Sequence, residues 1–156
     1  MNNKVRIAWF VVGSLAVLVE GFVLQSLHVA SPSLLVPVLL YAASNNSGSS
    51  LALALWLGFL LDLIAAVPFG AFMIISIGMM ALAQALNDRG LEFAYLPTLI
   101  LASAVLLGWQ YVVFATIGLL SASYSFELFG YLGFIYALQV ILTTVFSFVL
   151  LRLVRV

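Results

Sequence analysis

The chain has 156 residues, of which 66% are hydrophobic and 6% charged, with five Lys or Arg against five Asp or Glu. Its mean hydropathy is +1.31. A soluble domain carries about 25% charged residues, so this composition excludes a water-coated globule, a disordered chain, a coiled coil and a nucleic-acid binder. With zero formal net charge, no broad field draws in a polyanion. The absence of Cys excludes disulfides, thiol chemistry and thiolate metal sites. An all-α, polytopic membrane protein is the expected class. At about 20 residues per crossing, its spans leave almost no chain for a domain outside the membrane.

Six apolar segments follow in order. The first runs from Ile7 to Leu27, after Met1-Asn2-Asn3-Lys4-Val5-Arg6. It exceeds the ~7–15-residue apolar core of a signal peptide, and His28 stands where a cleavage site wants a small residue. It therefore reads as a retained transmembrane helix. Ser31-Pro32 has the form of a helix start, with Ser as N-cap and Pro at the first position. The second segment, 32–44, is only 13 residues. That is roughly 20 Å of helix against a ~30 Å hydrocarbon core, and Pro37 removes a backbone donor within it. The segment is either a short, tilted or broken span, or a re-entrant piece packed inside protein. Asn45 to Ser50 is the obvious linker.

The third segment covers 51–67, and Pro68-Phe69-Gly70 turns the chain into the fourth, 71–86. A polar loop follows, with Gly90 as a plausible helix C-cap. The fifth and sixth segments cover 96–120 and 128–151. If the second segment spans, Lys4, Arg6, Arg89, Arg152 and Arg155 all fall on one side. If it does not, they divide two against three. The positive-inside rule favours six spans with both termini in the cytoplasm.

Two carboxylates lie within spans. Glu20 is roughly 20 Å along the first span and Asp62 roughly 16 Å along the third. Both spans run outward, so both acids fall near or just beyond the midplane. A charge there costs at least about 2.5–3.5 kcal/mol, and no Lys or Arg lies at that depth. Each acid must be protonated, bound to polar groups, or open to a water-filled cavity. The structural alternative is an acid that hydrogen-bonds across helices or caps a broken segment. The functional alternatives are ligand contact, proton relay and contact with a partner's span.

Ser50, Ala54, Gly58, Asp62 and Ala66 recur every four residues and make one narrow, small-residue face. Such a face admits another helix at close range. On the first span, Gly13, Ala16 and Glu20 also share a face, and the two faces are expected to pack together. Gln84, Gln110, Gln139, Thr143 and Thr144 read as interhelical hydrogen-bond partners, and mid-span Trp109 as packing. His28 reads as an interfacial residue. Ser76, Ser103 and Ser147 have no G-x-S-x-G context, and no HExxH, Walker A or GxGxxG occurs. No catalytic group, metal site or cofactor is expected. Glu20 with Asp62 is the lone candidate pair for intramembrane hydrolysis.

Gly58-Phe59-Leu60-Leu61-Asp62-Leu63, followed by Pro68-Phe69-Gly70, resembles the bacterial rod shape-determining MreD family. That family shows a Gly four residues before an intramembrane Asp, a Leu after it, and a Pro-x-Gly turn at this distance. Pro32, with its apolar run ending in Tyr41, resembles the family's second segment. The chain departs from the pattern at Ile64-Ala65-Ala66 and at Ser33. The resemblance implies a non-enzymatic inner-membrane scaffold of the cell-wall elongation machinery. Its partners would be MreC and, through it, MreB, the glycosyltransferase RodA and a penicillin-binding transpeptidase. It implies structural or partner-contact roles for Gly58, Asp62, Pro68, Gly70 and Pro32. The family's fold is similar to the six-helix substrate-binding components of energy-coupling factor transporters. The alternative reading is therefore a binding component for a small, vitamin-type molecule, with Glu20 and Asp62 in its pocket. Against it, the first span lacks the Ala-x-x-x-Ala docking face of such components.

Overall fold

The computed structural model describes residues 3–20, 33–45, 50–64, 68–93, 95–120 and 128–154, with side chains over all of these except 3–9, 118–120, 128–134 and 153–154. Pro32, His28, Ala66 and Arg155, singled out above, lie outside the described residues. The described chain is all helical: α1 (Asn3–Val19), α2 (Leu35–Ser44), α3 (Ser50–Ile64), α4 (Ala71–Asp88), α5 (Leu96–Leu120) and α6 (Leu128–Val154). Among the described residues, three helical stretches are long and apolar enough to cross a membrane: Ala71–Asp88, Leu96–Ile117 and Ile135–Arg152. Among the described residues, shorter apolar helical stretches lie at Phe10–Val19, Leu35–Ser44 and Ser50–Ile64.

The outside of the bundle is oily and its inside carries hydroxyls. Leu15, Leu63, Ile74, Val112, Ile141 and Val145 are each more than half exposed. Ser33, Ser50, Ser76, Ser103, Thr143, Thr144 and Ser147 are buried. This is the distribution expected of a helix bundle in lipid, where small and polar residues lie between helices and large apolar ones face the acyl chains.

The shortest helix is the central one. α2 touches α1, α3, α4, α5 and α6, and eight of its ten residues are buried. At about 15 Å it would leave unpaired backbone in the membrane if lipid surrounded it. Enclosed by protein, it does not meet that penalty. α2 begins at Leu35, and the Ser31-Pro32 start expected from sequence lies outside the described residues. Pro37 therefore falls at the third helical position, where an N–H would have no acceptor within the helix. Its missing donor costs α2 nothing, contrary to the reading above.

α3 and α4 form an antiparallel hairpin with the most extensive contact in the bundle. The small-residue face of α3 makes that contact. Gln84 Nε2 on α4 donates to Ser50 Oγ at 2.8 Å. A Cβ built on Gly58 would stand 2.7 Å from Met73 Cα and 2.7 Å from the Phe72 carbonyl oxygen, so the two backbones meet at Gly58. The expected pairing of this face with Gly13 and Ala16 of α1 does not occur. Gly13 instead fits against the side chains of Leu57 and Val38, and Trp56 Nε1 ties α3 to α1 by donating to Ser14 Oγ at 2.9 Å. Small-residue faces are not labelled with their partner, and the eight-residue step from Asp62 to Gly70 returns α4 to the α3 face first.

The end of α4 is closed by Gly90 in the left-handed region (φ +76°). Gly90 N donates to Asn87 O at 2.9 Å and Leu91 N to Leu86 O at 3.3 Å, the paired bonds of a Schellman motif. Trp109 of α5 lies on Gly78 of α4, where any side chain would collide with its ring. Tyr136 Oη donates to the Ala104 carbonyl at 2.6 Å, and Tyr111 Oη to Gln139 Oε1 at 3.0 Å, joining α5 to α6. At the end of α6, the Arg152 guanidinium stands 4.7 Å from the centre of the Phe148 ring, a cation–π contact.

Candidate functional site

The intramembrane carboxylates are the chemically distinctive groups, and each sits at the start of the following helix. Asp62 is 6% exposed, near the end of α3. Its Oδ1 accepts Phe72 N at 2.9 Å. Its Oδ2 accepts Gly70 N at 3.1 Å and Met73 N at 3.2 Å. Ala71 N donates to the Pro68 carbonyl at 3.1 Å. The four N–H groups that open an α-helix have no acceptor within it. Here all four are satisfied, three of them by one side chain reaching over from the neighbouring helix.

The local sequence dictates this arrangement. Pro68-Phe69-Gly70-Ala71 closes on the Pro68 carbonyl, and Gly70 adopts φ +96° and ψ −12°, the values a type II turn asks of its third residue. The turn is short enough to return the chain beside Asp62. A Cβ on Gly70 would meet nothing within 4 Å, so its need for glycine is purely conformational. Gly70→Ala is expected to cost about 1–2 kcal/mol, measured as a lowered thermal unfolding midpoint in detergent, with Gly70→Asn costing less.

Glu20 repeats the device. It follows α1 in the chain, and its Oε2 accepts Leu34 N at 2.9 Å and Leu35 N at 3.1 Å at the start of α2. Ser33 N donates to Thr143 Oγ1 of α6 at 2.9 Å. Glu20 therefore caps α2 from the preceding segment, and the Ser31 cap expected from sequence lies outside the described residues. An acid in lipid needs donors and a helix start needs acceptors, and a hairpin places the two together. The positive end of the helix dipole, equivalent to about half a charge, does the work that an absent Lys or Arg would do.

The two caps differ in one respect that a substitution reads. One oxygen of Glu20 receives both N–H groups, whereas Asp62 uses both of its oxygens. Glu20→Gln retains a carbonyl oxygen that can accept both donors, and it is expected to cost about 1 kcal/mol through the lost charge–dipole attraction. Glu20→Ala leaves two donors unmet and is expected to cost about 2–4 kcal/mol. Thermal unfolding of the two variants side by side checks the difference.

Of the residues singled out from sequence, Gly58, Asp62, Pro68 and Gly70 come together as one α3–α4 unit, and Glu20 forms the parallel unit at α2. Gln84, Gln139 and Thr143 bridge helices. Gln110 makes no such bond among the described residues, and Thr144 Oγ1 is buried without a partner there. Sequence reasoning missed Ser76. Read only as a nucleophile without a base, it is the small side chain opposite Gly58, its Oγ donating to the Phe72 carbonyl at 2.8 Å. Its signal was present: a small polar residue one turn beyond the Phe72-Met73 pair. Among the described residues no group of three His, Asp or Glu side chains could hold a metal ion.

The fold and these caps define a class, an all-helical membrane protein in which three helices among the described residues are long and apolar enough to cross a bilayer. No family profile, characterised protein or solved structure matches the chain.

Proposed function

We propose that the chain is a six-span inner-membrane scaffold of the MreD type, with both termini in the cytoplasm. It would bind an MreC-type partner and, through it, MreB, RodA and a penicillin-binding transpeptidase. The observation that carries this reading is the state of Asp62. Both oxygens of the acid at the centre of the motif are engaged by backbone N–H groups of α4, and the Gly, Pro and Gly around it shape the same hairpin. A motif whose chemistry is absorbed in holding two helices together suits an adaptor. Six crossings are supported by the enclosure of α2, which lets a 10-residue helix serve as a crossing inside protein, and by the single-sided distribution of Lys and Arg that follows.

The substrate-binding reading has less support. One open trough among the described residues is apolar, and neither Glu20 nor Asp62 lines it. A vitamin-type molecule needs a few placed polar groups to fix it.

Co-expression with the MreC homologue of the same genome, followed by native mass spectrometry, tests the proposal. A stoichiometric complex without a small-molecule adduct is the expected result. A lone subunit retaining a small ligand would overturn it.

A further inference from the structure

The α3–α4 hairpin is shorter than the helix beside it. At the end of α4, Asp88 and Arg89 are charged and exposed, which puts the hydrocarbon boundary at about Leu86. From Leu86 to Ala71 the helix rises about 22 Å, and the Pro68-Phe69-Gly70 turn adds only a few ångströms. A hydrocarbon core is ~30 Å thick. We propose that the hairpin stops inside the hydrocarbon of the outer leaflet, with its turn about 5 Å below the boundary and Phe69 among the acyl chains.

α5 gives a second measure of the same depth. Trp109 lies on Gly78, and the Phe114 ring meets Phe72 edge-on with centroids 5.4 Å apart. The two antiparallel helices therefore keep step, and the first turn of α4 lies level with Phe114. From there α5 continues to Leu120, about 9 Å further. The residues of that extension are Ala115-Thr116-Ile117-Gly118-Leu119-Leu120, and its one hydroxyl, on Thr116, donates back to the Val112 carbonyl at 2.8 Å. That bond satisfies it without water. The two measures agree, since about 22 Å below the first turn of α4 and about 9 Å above it make one ~30 Å core.

The chemistry of the turn suits that depth. The four opening N–H groups of α4 are met by Asp62 and by the Pro68 carbonyl, so its backbone needs no water. A turn in water is commonly built from Asn, Asp, Ser or Gly. Here Pro68 and Phe69 are both exposed, and neither has a polar side chain. Phe69 is 69% exposed and meets the Phe59 ring edge-on with centroids 6.1 Å apart. The choice of leaflet rests on the six-span reading, and in that reading the hairpin offers no loop to the outer aqueous side. A partner's outer domain then has no contact with the Gly58–Gly70 motif, which only lipid or a membrane-spanning segment reaches.

The chain has no Cys, so a nitroxide attached to Phe69→Cys reports the depth of the turn in the full-length protein. The protein is placed in vesicles of phosphatidylethanolamine and phosphatidylglycerol with 18-carbon tails. Collisions of the nitroxide with oxygen and with a water-soluble nickel complex are compared. Labels on Asp88→Cys and Val112→Cys, both at exposed positions, give the aqueous and hydrocarbon limits. The label at position 69 is expected about 5 Å inside the boundary, shielded from nickel as the label at 112 is. Nickel collisions as frequent as those at position 88 would overturn the proposal. Should Phe69→Cys fail to fold, Phe69→Trp in vesicles of tail-brominated lipid decides instead. Quenching of the added emission by the tail bromines supports the proposal, and unquenched emission overturns it. No partner enters either measurement, so a failed MreC-type complex leaves the depth standing, and a turn found at the surface leaves the partner reading standing.

Discussion

Asp62→Ala is expected to destabilise the protein more than any other single change to a polar side chain described above. It leaves the N–H groups of Gly70, Phe72 and Met73 without an acceptor in a protein interior. Each unmet buried donor costs about 1–3 kcal/mol, so the loss is several kcal/mol out of a total stability of about 5–15. Asp62→Asn does not rescue it. An amide has one acceptor oxygen, and its NH2 group would face a backbone N–H. The expected loss for Asn is about 2 kcal/mol or more, in contrast with the mild effect of Glu20→Gln. Thermal unfolding in detergent, with membrane yield as a second readout, checks both. If Asp62→Asn unfolded at the temperature of the unmodified chain, the capping role would be lost. If Asp62→Ala folded normally and still bound its MreC-type partner, Asp62 would drop out of the proposed mechanism as well.

Gly58→Ala is expected to cost about 2 kcal/mol net, and Gly58→Val to prevent the α3–α4 hairpin from closing. Alanine improves helix propensity by about 1 kcal/mol. Against that, the added Cβ would press on Met73 Cα and the Phe72 carbonyl at 2.7 Å. Those are backbone atoms of a packed helix and cannot rotate aside. Overpacking of this kind costs about 1–3 kcal/mol or more, and here the whole of α4 must shift, which also strains the bonds to Asp62. Gly13→Ala is the control. Its Cβ would lie 3.2 to 3.3 Å from methyl groups of Leu57 and Val38, which can move by a few tenths of an ångström, so a near-neutral result is expected. Equal melting temperatures for the Gly58 and Gly13 variants would show that the close approach at Gly58 carries no energy.

Much of the helical layout was legible in the sequence. α4, α5 and α6 start at the residues expected, and α4 and α6 extend two or three residues beyond the expected ends. The reason is local: long apolar runs punctuated by Pro-x-Gly and by a polar loop ending in Gly. Glycine at 70 and 90 was readable for the same reason, since a left-handed position asks for glycine whatever surrounds it. The anomaly of Glu20 and Asp62 was equally plain, because a carboxylate within an apolar run stands out by type alone.

The destination of those carboxylates was not legible. A helix start within its own sequence advertises a cap, as Ser31-Pro32 did, but the acceptor for α2 came from Glu20 of the preceding helix. The pairing of the Gly58 face with α4 in place of α1 had the same origin. Composition and spacing determined that this is a membrane bundle, where its long helices lie and which residues are out of place in lipid, because these follow from transfer of side chains and from backbone geometry over a few neighbouring residues. Only the tertiary structure decided that α2 lies at the centre, that α4 meets Gly58, and that both acids close the helix starts beside them. Those outcomes depend on which surfaces meet once every backbone donor must find an acceptor without water.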